Sequence, residues 1–195
     1  MKRPTDNDPA GYESHAADFM LRRSPKIGAI KAKLWARSFR RGARVLELGC
    51  GFGVPVTQAL LDEGLTVSAI DGSITLVDEF KRRFPEVEVA WERIEESNLF
   101  GRQFEGVIAI GLVFLLAPEA QRELFCKVAL ALEPRGRFLF TAPVQTGEWI
   151  DVLTGHRSIS LGEAGYRAAL DEAGFEIVAQ YADEGGNNYY DCRLR

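Results

Sequence analysis

The chain has 195 residues, enough for one domain with its own core, and its 46% apolar and 27% charged composition is ordinary for a globular protein. A net charge of −4 argues against a general nucleic-acid binder, and no run approaches the roughly 18 apolar residues of a membrane helix. Met1 to Asp6 lacks the apolar core of a secretory signal, and Cys50, Cys126 and Cys192 are scattered with no CxxC pair, so a reducing cytoplasmic setting without a metal site is expected.

Residues 1–14 are polar and contain two prolines and a glycine, so the stretch 1–25 is expected to be a flexible segment able to close over a site. Residues 26–39 carry Ile27, Ile30, Leu34, Trp35 and Phe39 at a helical period. The cations Arg22, Arg23, Lys26, Lys31, Lys33, Arg37, Arg40 and Arg41 around it read as a solvated face. Strand–helix pairs follow: a strand over 43–49, a helix over 54–64 ending on Gly64, a strand over 65–71, and a helix over 74–85 stopped by Pro85. Strands are expected at 87–91 and 105–111, a helix at 118–136 opened by Pro118, and a strand at 137–143. The stretch 144–162 reads as a long connection, followed by a helix at about 162–173. "FEIVAQYAD" and "NYYDCRLR", joined by "EGGN", read as a closing antiparallel pair. This alternation predicts a single α/β domain, doubly wound, with a mostly parallel seven-stranded sheet and an antiparallel C-terminal strand.

The densest signal is "VLELGCGFG", residues 45–53, where the first strand runs into Gly49, Gly51 and Gly53. Glycines this close imply either a turn too sharp for side chains or a ligand passing close to the backbone. In a doubly wound sheet this strand end lies beside the ligand-binding switch point. Two acids favour the ligand. Asp71 ends the second strand, where a carboxylate accepts ribose hydroxyls, although an Asp there also suits a helix cap. Glu47 sits inside an apolar strand and needs a hydrogen-bond donor, which the ammonium of an amino-acid tail supplies. A dinucleotide fingerprint would need a third glycine at position 54, and Val54 stands there.

The run ExGxGxG, with Asp71 in "AIDGS", resembles the first two motifs of the class I S-adenosylmethionine-dependent methyltransferases, and the strand layout extends that resemblance over nearly the whole chain. The resemblance implies S-adenosyl-L-methionine as cofactor. Glu47, Gly49, Cys50 and Gly51 would meet its methionine tail, Asp71 with Gly72 and Ser73 its ribose, Ile94 its adenine, and Gly111 would lie near the transferred methyl. The family's usual acid at the adenine falls at or near Arg93, a departure that leaves Glu92 or Glu95 as substitutes. Trp91 either flanks the adenine or belongs to the core. Cys50 reads as a small packing residue and not a nucleophile.

For the acceptor, the apolar "GLVFLL" after the fourth strand suits a small molecule, and no NPPY or DPPY run points to a flipped nucleic-acid base. His156, in the 144–162 connection, is the candidate base, against the reading of a surface histidine; Tyr12 and Trp149 are candidate substrate contacts, with Phe19 beside Tyr12. The expected function is methyl transfer to a small-molecule acceptor. The alternatives are a non-catalytic S-adenosylmethionine-binding partner or regulatory subunit, and an NAD(P)-dependent oxidoreductase. Oligomeric state is left open.

Overall fold

The computed structural model describes residues 11–195, so the first ten residues of the expected N-terminal lid lie outside the described residues. Two short helices, α1 (Ala16–Arg22) and α2 (Ala29–Ala36), precede the first strand. The alternating body follows as β1 (Arg44–Leu48), α3 (Val56–Asp62), β2 (Thr66–Asp71), α4 (Ile74–Arg83), β3 (Glu88–Trp91), β4 (Phe104–Ala109), α5 (Pro118–Ala131) and β5 (Leu132–Thr141). Then come β6 (Thr146–Ile150), β7 (Arg157–Leu161), α6 (Gly162–Glu172), β8 (Phe175–Ala182) and β9 (Asn188–Leu194).

Seven strands form one sheet in the order β3-β2-β1-β4-β5-β9-β8. β1, β2, β3, β4 and β5 pair in parallel, and β9 runs antiparallel to both β5 and β8. The strand order reverses between β1 and β4, which leaves a crevice over their carboxyl ends. Both faces of these strands are covered, which is why Val45, Leu46 and Leu48 of β1 form an unbroken buried run. On one face Phe125, Phe138, Phe140, Tyr166 and Tyr190 pack together, with Phe140 stacked on Tyr190 at 4.9 Å. On the other, α2 and α3 set Trp35, Val56 and Leu60 against Val45, Val67 and Leu139. Each such buried side chain stabilises the fold by about 1.5–3 kcal/mol before entropy is counted.

Three expectations need correction. The 144–162 connection is not structureless: β6 and β7 form a separate two-stranded ribbon, paired from Thr146↔Leu161 to Ile150↔Arg157. The inward positions of β7 are Ser158 and Ser160, whose polarity disguises the alternation of a half-buried strand. α2 buries Ala32, Trp35 and Ala36 while Ile30 and Leu34 remain exposed, so small alanines, not the large apolar residues, mark its inner face. α5 ends at Ala131 and β5 begins at once, with the "PRG" turn taken up as an irregularity at the start of that strand. The closing antiparallel pair stands at the edge of the sheet as expected, with β9 between β5 and β8.

Most of the early cations lie on a solvated face as expected. Lys33 pairs with Asp62 at 2.8 Å, Arg37 with Glu63 at 3.0 Å and Arg40 with Glu105 at 3.0 Å, tying α2 to α3 and β4. Exposed pairs of this kind contribute about 0–1 kcal/mol each. Arg23 is the exception. Among the described residues no helix is long and apolar enough to cross a membrane.

Candidate active site

A cavity of about 300 Å³ opens over the ends of β1, β2 and β4, beneath the segment that carries α1. Its floor is the glycine turn. Gly49 and Cys50 both donate their N–H to the Ile70 carbonyl, at 2.8 and 3.2 Å, and Gly53 N–H closes the turn on Cys50 O at 3.0 Å. Gly49, Gly51 and Gly53 have φ of +68°, +56° and +86°, a region costly for any residue with a Cβ. The three then divide. Gly49 and Gly51 line the cavity, whereas a Cβ on Gly53 would stand 2.3 Å from the Phe84 ring, so Gly53 serves packing against α4.

Glu47 is 4% exposed and accepts a 2.5 Å hydrogen bond from Thr57 Oγ1. Burial raises its pKa to about 8, with the Asp71 charge adding to the rise and the Thr57 bond and Arg23 charge opposing it. Even with the Arg23 charge nearby, burial favours the protonated carboxyl. The Arg23 guanidinium, at the end of α1, lines the same cavity and interacts with Glu47 and Tyr189. Burial lowers the pKa of Arg23, and the neighbouring Tyr189 and Glu47 oppose that shift. An acid beside a base on one wall matches a zwitterion, which carries an ammonium and a carboxylate on one carbon.

Asp71 braces the turn from the next strand. Its Oδ2 accepts from Gly51 N at 2.7 Å and its Oδ1 from Ser73 N at 2.9 Å. The cap of α4 is Ser73, whose Oγ accepts from Leu76 N, so Asp71 does not hold that cap position. An ionised carboxylate has about four acceptor sites, so these two bonds do not by themselves fill it. Gly72 and Ser73 line the wall beside it, followed by Glu92, Arg93, Ile94 and Glu95. Arg93 pairs with Glu95 at 3.4 Å and with Glu96 at 3.5 Å. Trp91 is not among the lining residues; its indole N–H donates to Gly72 O at 2.9 Å. Gly111, at the end of β4, has φ of +75° and open space where a Cβ would be, and lines the opposite wall. Cys50 is buried in the turn with its thiol pKa pushed well up by burial, which keeps it unreactive.

The roof comes from the N-terminal segment. Tyr12 and Phe19 line the cavity in edge-to-face contact at 5.4 Å, and the Phe19 ring lies over Gly51. Glu13 holds the segment down, accepting from Ser73 Oγ at 2.5 Å, Thr75 Oγ1 at 2.7 Å and Thr75 N at 3.1 Å. Burial alone would raise its pKa, but these bonds outweigh burial and lower it.

The nine sequence-derived cofactor positions thus all line one cavity, and Tyr12 joins them. His156 and Trp149 do not line it. The exposed His156 ring lies over Gly11, where a Cβ would stand 2.6 Å from it, and Trp149 touches the lining residue Phe114 at 5.5 Å. Arg23 and Asn187 are lining residues that no sequence signal singled out.

This arrangement, a bare turn over parallel strand ends with an acid on each of the first two strands, defines a nucleotide-cofactor-binding α/β domain. Residues 45–136 match the family model described as "Methyltransferase domain". That match spans just under half of the chain, and the chain as a whole has the Rossmann-like fold of S-adenosylmethionine-dependent methyltransferases. A search of curated proteins by sequence finds no match. Among solved structures the fold is similar to that of the CcbJ methyltransferase from Streptomyces caelestis, with TM-score 0.78, 19% identity, and 96% of this chain and 99% of that one covered. It is also similar to magnesium protoporphyrin IX methyltransferase from Synechocystis PCC 6803, with TM-score 0.76, 14% identity and coverage of 100% and 99%. The glycopeptide N-methyltransferase MtfA, solved with S-adenosylmethionine, gives TM-score 0.71, 20% identity and coverage of 86% and 94%.

Proposed function

We propose that this protein transfers a methyl group from S-adenosyl-L-methionine to a small-molecule acceptor. The observation that carries the reading is that one cavity joins the bare glycine turn, Glu47 and Asp71 to an apolar wall formed by Leu112, Phe114 and Leu116. The residues present fit the cofactor. Glu47 and Arg23 would take the two charges of its amino-acid tail, Gly49 and Gly51 leave room for that tail, and Asp71 would accept from its ribose hydroxyls. Ile94 and Gly72 would border the adenine and ribose, and Gly111 would leave space near the reacting group. When bound, the cofactor supplies a methyl group already activated by a sulfonium, so the chain's main contribution is alignment and exclusion of water.

Tyr12 and Phe19 close that space from above, and Glu13 fixes how deeply they sit. His156 lies outside the cavity and would act as a positioning residue, through Gly11 and the adjoining Tyr12. The apolar wall favours a compact organic acceptor over a polymer, and relatives of the fold named for glycopeptide, amino pentose and porphyrin substrates agree with that breadth. The test is incubation of the protein with methyl-labelled S-adenosylmethionine and the small-molecule fraction of a cell extract. Label is expected in a low-molecular-weight product; label found only in protein or nucleic acid would reject the small-molecule reading.

A further inference from the structure

We infer that the acceptor is an amine and that Asp151 is the residue that selects it. This rests on the methyl-transfer reading above. Once the donor's residues are set aside, the remaining cavity wall is the apolar run Ile110, Leu112, Phe114, Leu115 and Leu116, the neutral polar Tyr12 and Asn187, and the charged Asp151. The ribbon brings Asp151 there: it directly follows β6, whose Trp149 ring packs on Phe114 at 5.5 Å.

The Asp151 side chain is held from one side only. Its Oδ1 accepts from Leu153 N at 3.0 Å, Thr154 N at 2.7 Å and Thr154 Oγ1 at 2.9 Å, which fixes the carboxylate in the ribbon turn. Oδ2 accepts from none of the described residues. The other charges around the cavity are accounted for differently. Arg23 faces Glu47, Arg93 is paired with Glu95, Asp71 takes two backbone N–H groups, and Glu92 is exposed on the far wall beside Arg93. Among the described residues the only cations lining the cavity are Arg23 and Arg93, each facing an acid, so an anionic acceptor would find no uncommitted cation and would face the Asp151 charge. A fixed carboxylate with one free oxygen instead offers an ammonium a charge-assisted hydrogen bond.

The chemistry balances without a further reactant. The bound ammonium releases one proton to solvent, and its freed lone pair forms the new C–N bond. The donor's C–S bond breaks with its electron pair going to sulfur, and the positive charge ends on the methylated amine.

The test uses the full chain saturated with S-adenosylhomocysteine and three probes of one shape: phenethylamine, 2-phenylethanol and phenylacetate. By calorimetry phenethylamine is expected to bind most tightly and phenylacetate least. Asp151→Asn keeps an Oδ1 for the turn and removes the charge. It is expected to weaken phenethylamine about tenfold while leaving 2-phenylethanol and S-adenosylhomocysteine affinities unchanged. Phenylacetate matching the amine, an unchanged amine affinity in the variant, or no probe binding to the saturated protein would overturn the assignment. A fall in S-adenosylhomocysteine affinity in the variant would move Asp151 to the donor and overturn it too. Wild-type protein that fails to bind S-adenosylhomocysteine would instead refute the functional reading beneath it.

Discussion

The proposed donor side of the cavity is made of bare backbone and two carboxylates at the ends of adjacent parallel strands, whereas the proposed acceptor side is made of side chains on connecting segments. The donor side is held by the sheet itself: Glu47 and Asp71 sit on β1 and β2, and the turn between them hangs on the Ile70 carbonyl. The proposed acceptor side hangs on side-chain ties, among them the Glu13 bonds to Ser73 and Thr75 and the Trp149 contact with Phe114. A site whose geometry is set by backbone leaves a sequence pattern. One set by side chains on linking segments leaves composition only.

Changes on the donor side should therefore be the most damaging. Asp71→Ala removes the acceptor for Gly51 N–H and Ser73 N–H, and is expected to weaken S-adenosylhomocysteine about a hundredfold by calorimetry. Unchanged affinity would show that Asp71 only braces the turn. Gly53→Ala is expected to act on stability and not on binding. The new Cβ meets Phe84 and φ is positive, so chemical denaturation should show a loss of about 3 kcal/mol. Replacing Phe84 with leucine in the same chain should recover part of that loss, and failure to do so would contradict the packing role. Arg23→Met keeps the aliphatic stem, and is expected to lower S-adenosylhomocysteine affinity about tenfold with little change in melting temperature.

Glu47 sharpens the contrast through pH. Its pKa is about 8 in the folded chain against 4.5 for a free glutamate, so the folded state binds more protons between those values. Its contribution to stability is therefore fully present below about pH 4.5 and is lost as pH rises through about 8. Glu47→Gln should remove that part of the slope in a denaturation series from pH 5 to 9, and an identical slope in wild type and variant would contradict the burial argument. The smallest expected effect is that of His156→Ala on the acceptor side. It should leave cofactor affinity intact and lower turnover a few-fold in a methyl-transfer assay, and full activity would return His156 to an ordinary surface role.

The same contrast explains what the sequence disclosed. The doubly wound fold and nine cavity-lining positions were legible because "VLELGCGFG" combines an acid in an apolar run with glycines where backbone must turn left-handed. Arg23 was not legible because it stands in a run of eight cations, and only the packing of α1 over the cavity separates it from Arg37 or Arg40. The β6–β7 ribbon was hidden by its inward serines, and the inner face of α2 by alanines whose burial depends on how closely the helix approaches the sheet. Gly53 completed the glycine pattern for a reason the sequence did not show, since its bareness accommodates the Phe84 ring.

The most direct test of the central claim is a calorimetric comparison of S-adenosylhomocysteine and NADH binding to the unmodified chain. S-adenosylhomocysteine is expected to bind well below millimolar concentration and NADH not to bind. NADH binding without S-adenosylhomocysteine binding would contradict the claim.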